Sequence, residues 1–254
     1  MVFDYLEMLS GMPLLMKNVG HVRSPKLKEV IADNVGTKRY NLYLKIMSWT
    51  KVEVLEHLRA MTSRNVDKII QDEKIELFDI VALVPHINSL FEEAFSFFFV
   101  EQLTWNEEKR RFDVESGNVD STDEWAITKE TFETVRTAIL ELNFIFIQNK
   151  QTPKQYKNTH AEELWAKAQG YINKGKPQKP VKDEYDLGNI VSKLCTLHSS
   201  YNLLNVYDLT IFQVYDQFTQ CRTIRATNLG DNIFANHGGE HYDTEAYLKP
   251  IIKL

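Results

Sequence analysis

Cysteine, proline and glycine are all scarce: two, seven and ten residues in a chain of 254. Cys195 and Cys221 fall in apolar helical patterns with no C-x-x-C spacing, which excludes a disulfide framework and predicts buried, reduced thiols. So few turn-forming residues, beside 43% apolar and 26% charged residues, exclude general disorder and favour an ordered, helix-leaning globular protein. Its length allows a core without metal or disulfide staples. Long apolar runs are missing as well. "DIVALV" and "FSFFFV" fall far short of the ~20 residues that span a bilayer, and Pro85 and the Glu92-Glu93 pair separate them. The start, "MVFDYLEMLS", carries Asp4 and Glu7 where a secretory signal carries Lys or Arg, so export by that route is not expected. Basic surplus is absent: 30 Lys and Arg against 35 Asp and Glu leave a net charge of −5. That balance argues against a chain whose main task is coating nucleic acid.

What is present is a series of helix boundaries. In "RSPKLKEVIADNVG", Ser24 is expected as the cap, Pro25 at the first helical position, where its missing N–H costs nothing, and Gly36 as the left-handed stop. Thr50 with Glu53, and Thr159 with Glu162, form capping boxes. "KRYNLYLKIMSW" places Tyr40, Tyr43, Leu44 and Met47 on one stripe. From Asp72 to Leu103 the pattern gives two helices hinged at Pro85, which removes a donor and disfavours helix at Val84. The second of these puts Phe91, Phe95, Phe98 and Phe99 on one face. A cofactor or lipid pocket would use such a stripe, but a helix packed in the core uses it more commonly.

Short alternating runs, "LTWN", "RRFDVES" and "EWAIT", predict one small antiparallel meander at about 103–128, the one β element expected. It is expected to pack on the helix "KETFETVRTAILELNFIFIQN", whose stripe is Phe132, Val135, Ile139, Leu142 and Phe146. The fold class is therefore mainly α, a helix-rich globular protein with a minor β component. The chain divides into three parts. Residues 1–149 form an N-terminal helical lobe with the meander, 150–182 a Lys- and Pro-rich connector around one capped helix, and 183–254 a C-terminal helical lobe with a docking tail. The connector carries Lys150, Lys154, Lys157, Lys167, Lys174, Lys176, Lys179 and Lys182, and reads as a solvated linker; phosphate binding would want aromatic platforms between the lysines. In the last part, "LGNIVSKLCTLHSS" and "YDLTIFQVYDQFTQCRTIRATN" are amphipathic and precede a glycine-rich tail.

One stretch spells chemistry. His237, Glu240 and His241 form H-x-x-E-H, in which an inverted zinc peptidase would carry two metal ligands and a general base. Those ligands must sit on one helical turn. Gly238 and Gly239 lie inside it, each costing roughly 1 kcal/mol of helix propensity, and only Tyr242 to Leu254 remain to supply a third ligand. The glycines read better as hinges before a short helix, "EAYLKP", capped by Asp243 or Thr244. A helix-turn-helix in "CTLHSSYNLLNVYDLTIFQVYDQF" would open with Asp208, Thr210 and Asp216 against phosphates, despite Arg222 and Arg225 further on, which argues against DNA reading. There is no G-x-S-x-G elbow and no Gly-rich phosphate loop. His86 and His198 read as capping or core-edge residues. No catalytic, cofactor-binding or metal residue is assigned, no cofactor is expected, and the chain is not expected to be an enzyme.

Three stretches, "MPLLMKNVGHVRSPKLKEVIADNVGTKRYNLYLKIMS", "LFEEAFSFFFVEQLTWNEEKRRFDV" and "DLTIFQVYDQFTQ", resemble in order the tail or baseplate assembly proteins of tailed bacteriophages infecting Gram-positive hosts. That resemblance implies a non-enzymatic structural or assembly component. It would be assembled in the host cytoplasm, placed in the virion tail and partnered by other tail or baseplate proteins, with a homo-oligomer within a symmetric assembly also open. A tail-assembly chaperone absent from the finished particle, a metal-dependent hydrolase built on the HGGEH segment, and a DNA-binding regulator are the alternatives.

Overall fold

The computed structural model describes residues 2–32, 37–62, 74–115, 125–146 and 186–238. Helix α1, Tyr5–Ser10, begins with a reciprocal cap, in which Asp4 accepts from the Leu6 N–H and Glu7 from the Asp4 N–H. Gly11 then reverses the chain at φ 70°. Next comes a two-stranded antiparallel hairpin, β1 Leu14–Met16 and β2 Gly20–Val22, turning through Asn18 at φ 62°. The meander is thus not the one β element. Strands of three residues are too short for alternation to stand out, which is why the sequence pattern misses them. The hairpin is tied into the body by backbone bonds: Val100 N–H to His21 C=O, Arg23 N–H to Phe98 C=O and Ala126 N–H to Asn18 C=O.

Helix α2, Leu27–Ile31, starts two residues later than expected. Lys26 occupies the cap position, its N–H donating to Glu29 at 2.7 Å. Ser24 and Pro25 stay outside the helix and serve another one. The Ser24 hydroxyl accepts from the Phe212 N–H at 3.1 Å, and the Pro25 carbonyl accepts from the Ile211 N–H at 2.9 Å. Two of the donors that every helix start leaves open are thus satisfied by residues far back in the sequence, one of them 188 positions away. The expected stop at Gly36 lies outside the described residues.

Helix α3, Thr37–Ser48, buries Tyr40, Tyr43, Ile46 and Met47, with Leu44 only half-buried, so the stripe is rotated slightly from the expected one. Helix α4, Lys51–Thr62, opens on the Thr50–Glu53 box as read from sequence. Helices α5, Leu77–Leu83, and α6, Pro85–Phe98, break at Val84, whose φ of −116° and ψ of 101° are the extended geometry that a following proline imposes. Strands β3 Leu103–Asn106, β4 Arg111–Val114 and β5 Trp125–Ile127 form the meander in sequential order. It packs on α6 and on α7, Lys129–Leu142.

The phenylalanine stripe of α6 is core. Phe95 meets Phe112 at 5.3 Å and Phe132 at 5.9 Å, and Phe91 meets Phe132 at 5.3 Å, in the tilted and edge-on arrangements that ring quadrupoles favour. Helix α7 ends at Leu142, a turn earlier than its apolar stripe suggests. The Asn143 amide donates to the Ile139 carbonyl while accepting from the Tyr40 hydroxyl, and Phe144 turns left-handed at φ 62°. That turn swings the Phe144 ring onto Phe212 and Tyr215, so Phe146 is no longer on the helix. Arg136 is 7% exposed, and it donates to the carbonyls of Met47 and Trp49 while pairing with Glu133 at 2.6 Å. Helices α8, Leu187–Leu197, and α9, Ile211–His237, complete a mainly α fold, their inner faces joining the same buried cluster as α3, α6 and α7. The Lys-rich connector 150–182, its Thr159–Glu162 cap and the tail from 239 onward lie outside the described residues.

Candidate docking surface

Helix α9 is fixed at its base and carries exposed apolar side chains at its tip. At the base, the Gln213 N–H donates to the Thr210 hydroxyl and the Thr210 N–H to the Gln213 side chain, which also donates to the Leu9 carbonyl at 3.0 Å. Asp216 is 1% exposed and accepts from the Tyr5 hydroxyl and from Gln217. Burial first, then the Asp216 carboxylate, pushes the Tyr5 hydroxyl up to about 12. The placement corrects the helix-turn-helix argument, in which Asp216 would face phosphates. Asp216 faces Tyr5 instead, and Asp208 is engaged by Lys28 at 2.8 Å. What the first turns of α9 leave unpresented is any basic side chain.

Ile211, Phe212, Val214 and Phe218 are buried, and the Arg222 guanidinium lies 5.8 Å over the Phe218 ring at the edge of the core. From Arg222 to Asn236 no side chain is buried, yet Leu229 is 62%, Ile233 53% and Phe234 39% exposed. Leu229 and Gly230 lie eighteen positions after the buried Ile211 and Phe212, and Ile233 eighteen after Tyr215, which is half-buried against the core. That is five turns at ~3.6 residues per turn, so they lie on the face that is core-directed at the base. The tip therefore continues the inward face of the base, with Leu229 and Ile233 exposed on it. The sequence pattern stops this helix at Asn228 and gives the remainder as a glycine-rich tail. The helix instead runs through Gly230, whose cost of roughly 1 kcal/mol is small beside the cooperativity of a 27-residue element. The eighteen-residue spacing is the signal that could have found Leu229 and Ile233.

Among the described residues, those that promised chemistry are dispersed. His237 is the last residue of α9, and Gly238 leaves the helix at φ 68°, ψ −178°; Glu240 and His241 lie outside the described residues. Among the described residues no three His, Cys, Asp or Glu side chains gather as a metal site. Cys195 and Cys221 are free and half-buried rather than buried, and loss of solvent pushes both thiols above their ordinary value. His198 caps α8, its Nδ1 accepting from the Ser200 N–H, and His86 stacks on His57 at 6.0 Å. A cavity of about 610 Å³ opens between α5, α6 and the β3–β4 turn, lined in part by Asn88, Glu92, Trp105, Glu107 and Arg110. The Asn88 amide nitrogen is buried there without a partner, and the Ser89 hydroxyl is committed to the Pro85 carbonyl.

A family described as YomV second domain matches residues 176–251, which hold α8, α9 and the exposed tip. It is a phage-type domain. The chain matches no curated protein and no solved structure. No helix among the described residues is long and apolar enough to cross a membrane.

Proposed function

We propose that this chain is a non-enzymatic structural or assembly component of a bacteriophage tail or baseplate, and that it acts by docking on other proteins. The observation that carries the reading is the tip of α9, where Leu229, Ile233 and Phe234 stand exposed on a face that elsewhere in the same helix is core. Burying such side chains is worth about 1.5–3 kcal/mol each, and contiguous exposed apolar surface on a folded protein marks an interaction site. The phage-type match across residues 176–251 covers this helix and supplies the context. The resemblance of the earlier stretches to tail-cluster proteins extends that context toward the N-terminus.

In this reading the partners are other tail or baseplate proteins, and the chain is carried in the virion after assembly in the host cytoplasm. Purified particles and a tagged pull-down from phage-producing cells, both read by mass spectrometry, test it. The chain is expected in the particles and in company with tail proteins. Company with tail proteins but absence from particles would instead identify an assembly chaperone, and absence of both would end the proposal.

A further inference from the structure

We infer that the cleft between α5, α6 and the β3–β4 turn is a binding site for a short extended peptide segment that carries a basic side chain. The cleft lies outside the family-matched residues, and its chemistry is independent of the α9 surface. Asn88 lines it at 5% exposure, and its amide nitrogen finds no acceptor in the fold. A buried donor left open costs stability, and its complement is an acceptor brought from outside. Three charged side chains at the same cleft are open as well. Among the described residues, the side chains of Glu92, Glu107 and Arg110 make no hydrogen bond or ion pair, whereas their neighbours Glu93 and Arg111 are engaged by Arg39 at 3.0 Å and Asp113 at 2.6 Å. Arg110 also holds φ 47°, the left-handed region that favours glycine. Asn106 fixes the turn there, accepting from the Lys109 N–H at 3.0 Å and donating to Asp113 at 2.7 Å. The fold thus carries an arginine at a strained position without using its guanidinium.

The open groups select the occupant. Asn88 and Arg110 are donors, and Glu92 and Glu107 are acceptors. A peptide backbone carries carbonyls and N–H groups in alternation and answers both kinds. Along α6 the wall runs from Pro85 past Asn88 to Glu92, a span of ~10.5 Å at ~1.5 Å per residue, which matches about three extended residues. The wall is also graded. Toward α5 it is apolar, with Leu83 66% exposed and the half-buried Trp105 ring packed on Phe78 at 6.4 Å. Toward the far end it is charged. Two carboxylates against one guanidinium leave the cleft net negative, an aromatic face attracts a cation, and a carboxylate bonds most strongly to a charged donor. The segment that fits therefore sets an apolar residue beside a Lys or Arg.

The test is selection of a displayed library of random short peptides on the immobilised full chain, with counter-selection on the Glu92→Gln, Glu107→Gln double variant. Peptides with Lys or Arg beside an apolar residue should be enriched. One of them, synthesised with both ends blocked, is then titrated calorimetrically into the native chain and two single variants. Asn88→Leu should weaken binding about tenfold, the effect of one lost hydrogen bond, while melting no lower than the native chain because it removes an open donor. Arg110→Gly should weaken binding by a similar factor and also melt no lower, since glycine relaxes the turn. Replacing the basic residue of the peptide by Glu should abolish binding. Three results would each overturn the inference: no sequence enriched, an acidic consensus, or a peptide held equally by the native chain and Asn88→Leu. A chain that selects no peptide but is found in particles with tail proteins would sink this inference alone and leave the proposed function standing.

Discussion

The hydroxyl of Tyr5 donates to the buried carboxylate of Asp216, joining α1 to α9 across 211 residues of sequence. Around this bond, the Gln213 side chain reaches the Leu9 carbonyl, and the Tyr5 ring meets Phe212 edge-on at 6.2 Å. The base of α9 is thereby held by the start of the chain.

Tyr5 should make stability depend on pH in the alkaline range. Its folded value, about 12, lies above the unfolded value of 10.0, so its contribution is complete below pH 10 and is lost as pH rises toward 12. Chemical denaturation of the native chain and of Tyr5→Phe at pH 8 and pH 11 checks this. The native advantage over the variant should shrink at the higher pH, and a constant difference would remove Tyr5 as the cause.

Replacing Arg136 should cost more than its single ion pair suggests. Its guanidinium reaches the carbonyls of Met47 and Trp49 between α3 and α4, while the Glu133 partner is largely exposed. Arg136→Met is expected to destabilise by about 3 kcal/mol, and Glu133→Ala by under about 1 kcal/mol. Equal losses in urea denaturation would mean that the ion pair, not the carbonyl contacts, carries the stability.

The Ser24 hydroxyl caps α9 rather than α2. Ser24→Ala should therefore lower global stability by about 1 kcal/mol and increase amide exchange at Phe212, with exchange in α2 unchanged. Faster exchange confined to residues 27–31 would restore the local cap that the sequence suggested.

Gly20 and Gly238 both take positive φ but should respond differently to alanine. A Cβ on Gly20 would meet Val114 Cγ1 at 3.1 Å and Glu101 Oε2 at 3.2 Å, whereas one on Gly238 would meet nothing within 4 Å. Gly20→Ala is expected to cost about 2–3 kcal/mol and Gly238→Ala about 1–2 kcal/mol, the second for backbone strain alone. Thermal melts of the two variants give the comparison.

Core and tip should separate cleanly. Phe95→Ala is expected to cost about 3–5 kcal/mol, and Leu229→Ala within about 0.5 kcal/mol in dilute chain. A large loss at Leu229 under those conditions would show that the outer half of α9 is packed against its own chain.

Much of this fold is legible in the sequence because its signals are local. Pro85 acts on the residue before it, Thr50 and Glu53 act within one turn, and the Phe91–Phe95–Phe98 stripe repeats at the helical period. The errors share a different cause. Ser24 reads as the cap of the nearest helix because a cap from 188 residues away leaves no local trace. Phe146 continues an apolar stripe, but the amide of Asn143 takes the carbonyl of Ile139 and the helix ends at Leu142. Asp216 reads as an exposed acid until the hydroxyl of Tyr5 is brought to it.

The candidate surface is harder to see. Gly230 interrupts propensity without interrupting the helix, so the stretch from Leu229 to His237 reads as a tail. Its apolar residues also sit among Asp231, Asn232 and Asn236, which dilute the pattern unless it is aligned with the base of the same helix. The H-x-x-E-H spelling draws attention to the place where α9 ends. Within the described residues, that place is a helix terminus and then a glycine in a non-helical conformation.

A rod anchored at one end acts as a lever. The outer sixteen residues of α9 extend ~24 Å and the anchored eleven ~17 Å, at ~1.5 Å per residue. Sideways force at its outer end is therefore multiplied where the rod meets its mount, and the mount includes Tyr5 and Leu9. Whatever grips the far end of this rod pulls, mechanically, on the N-terminus.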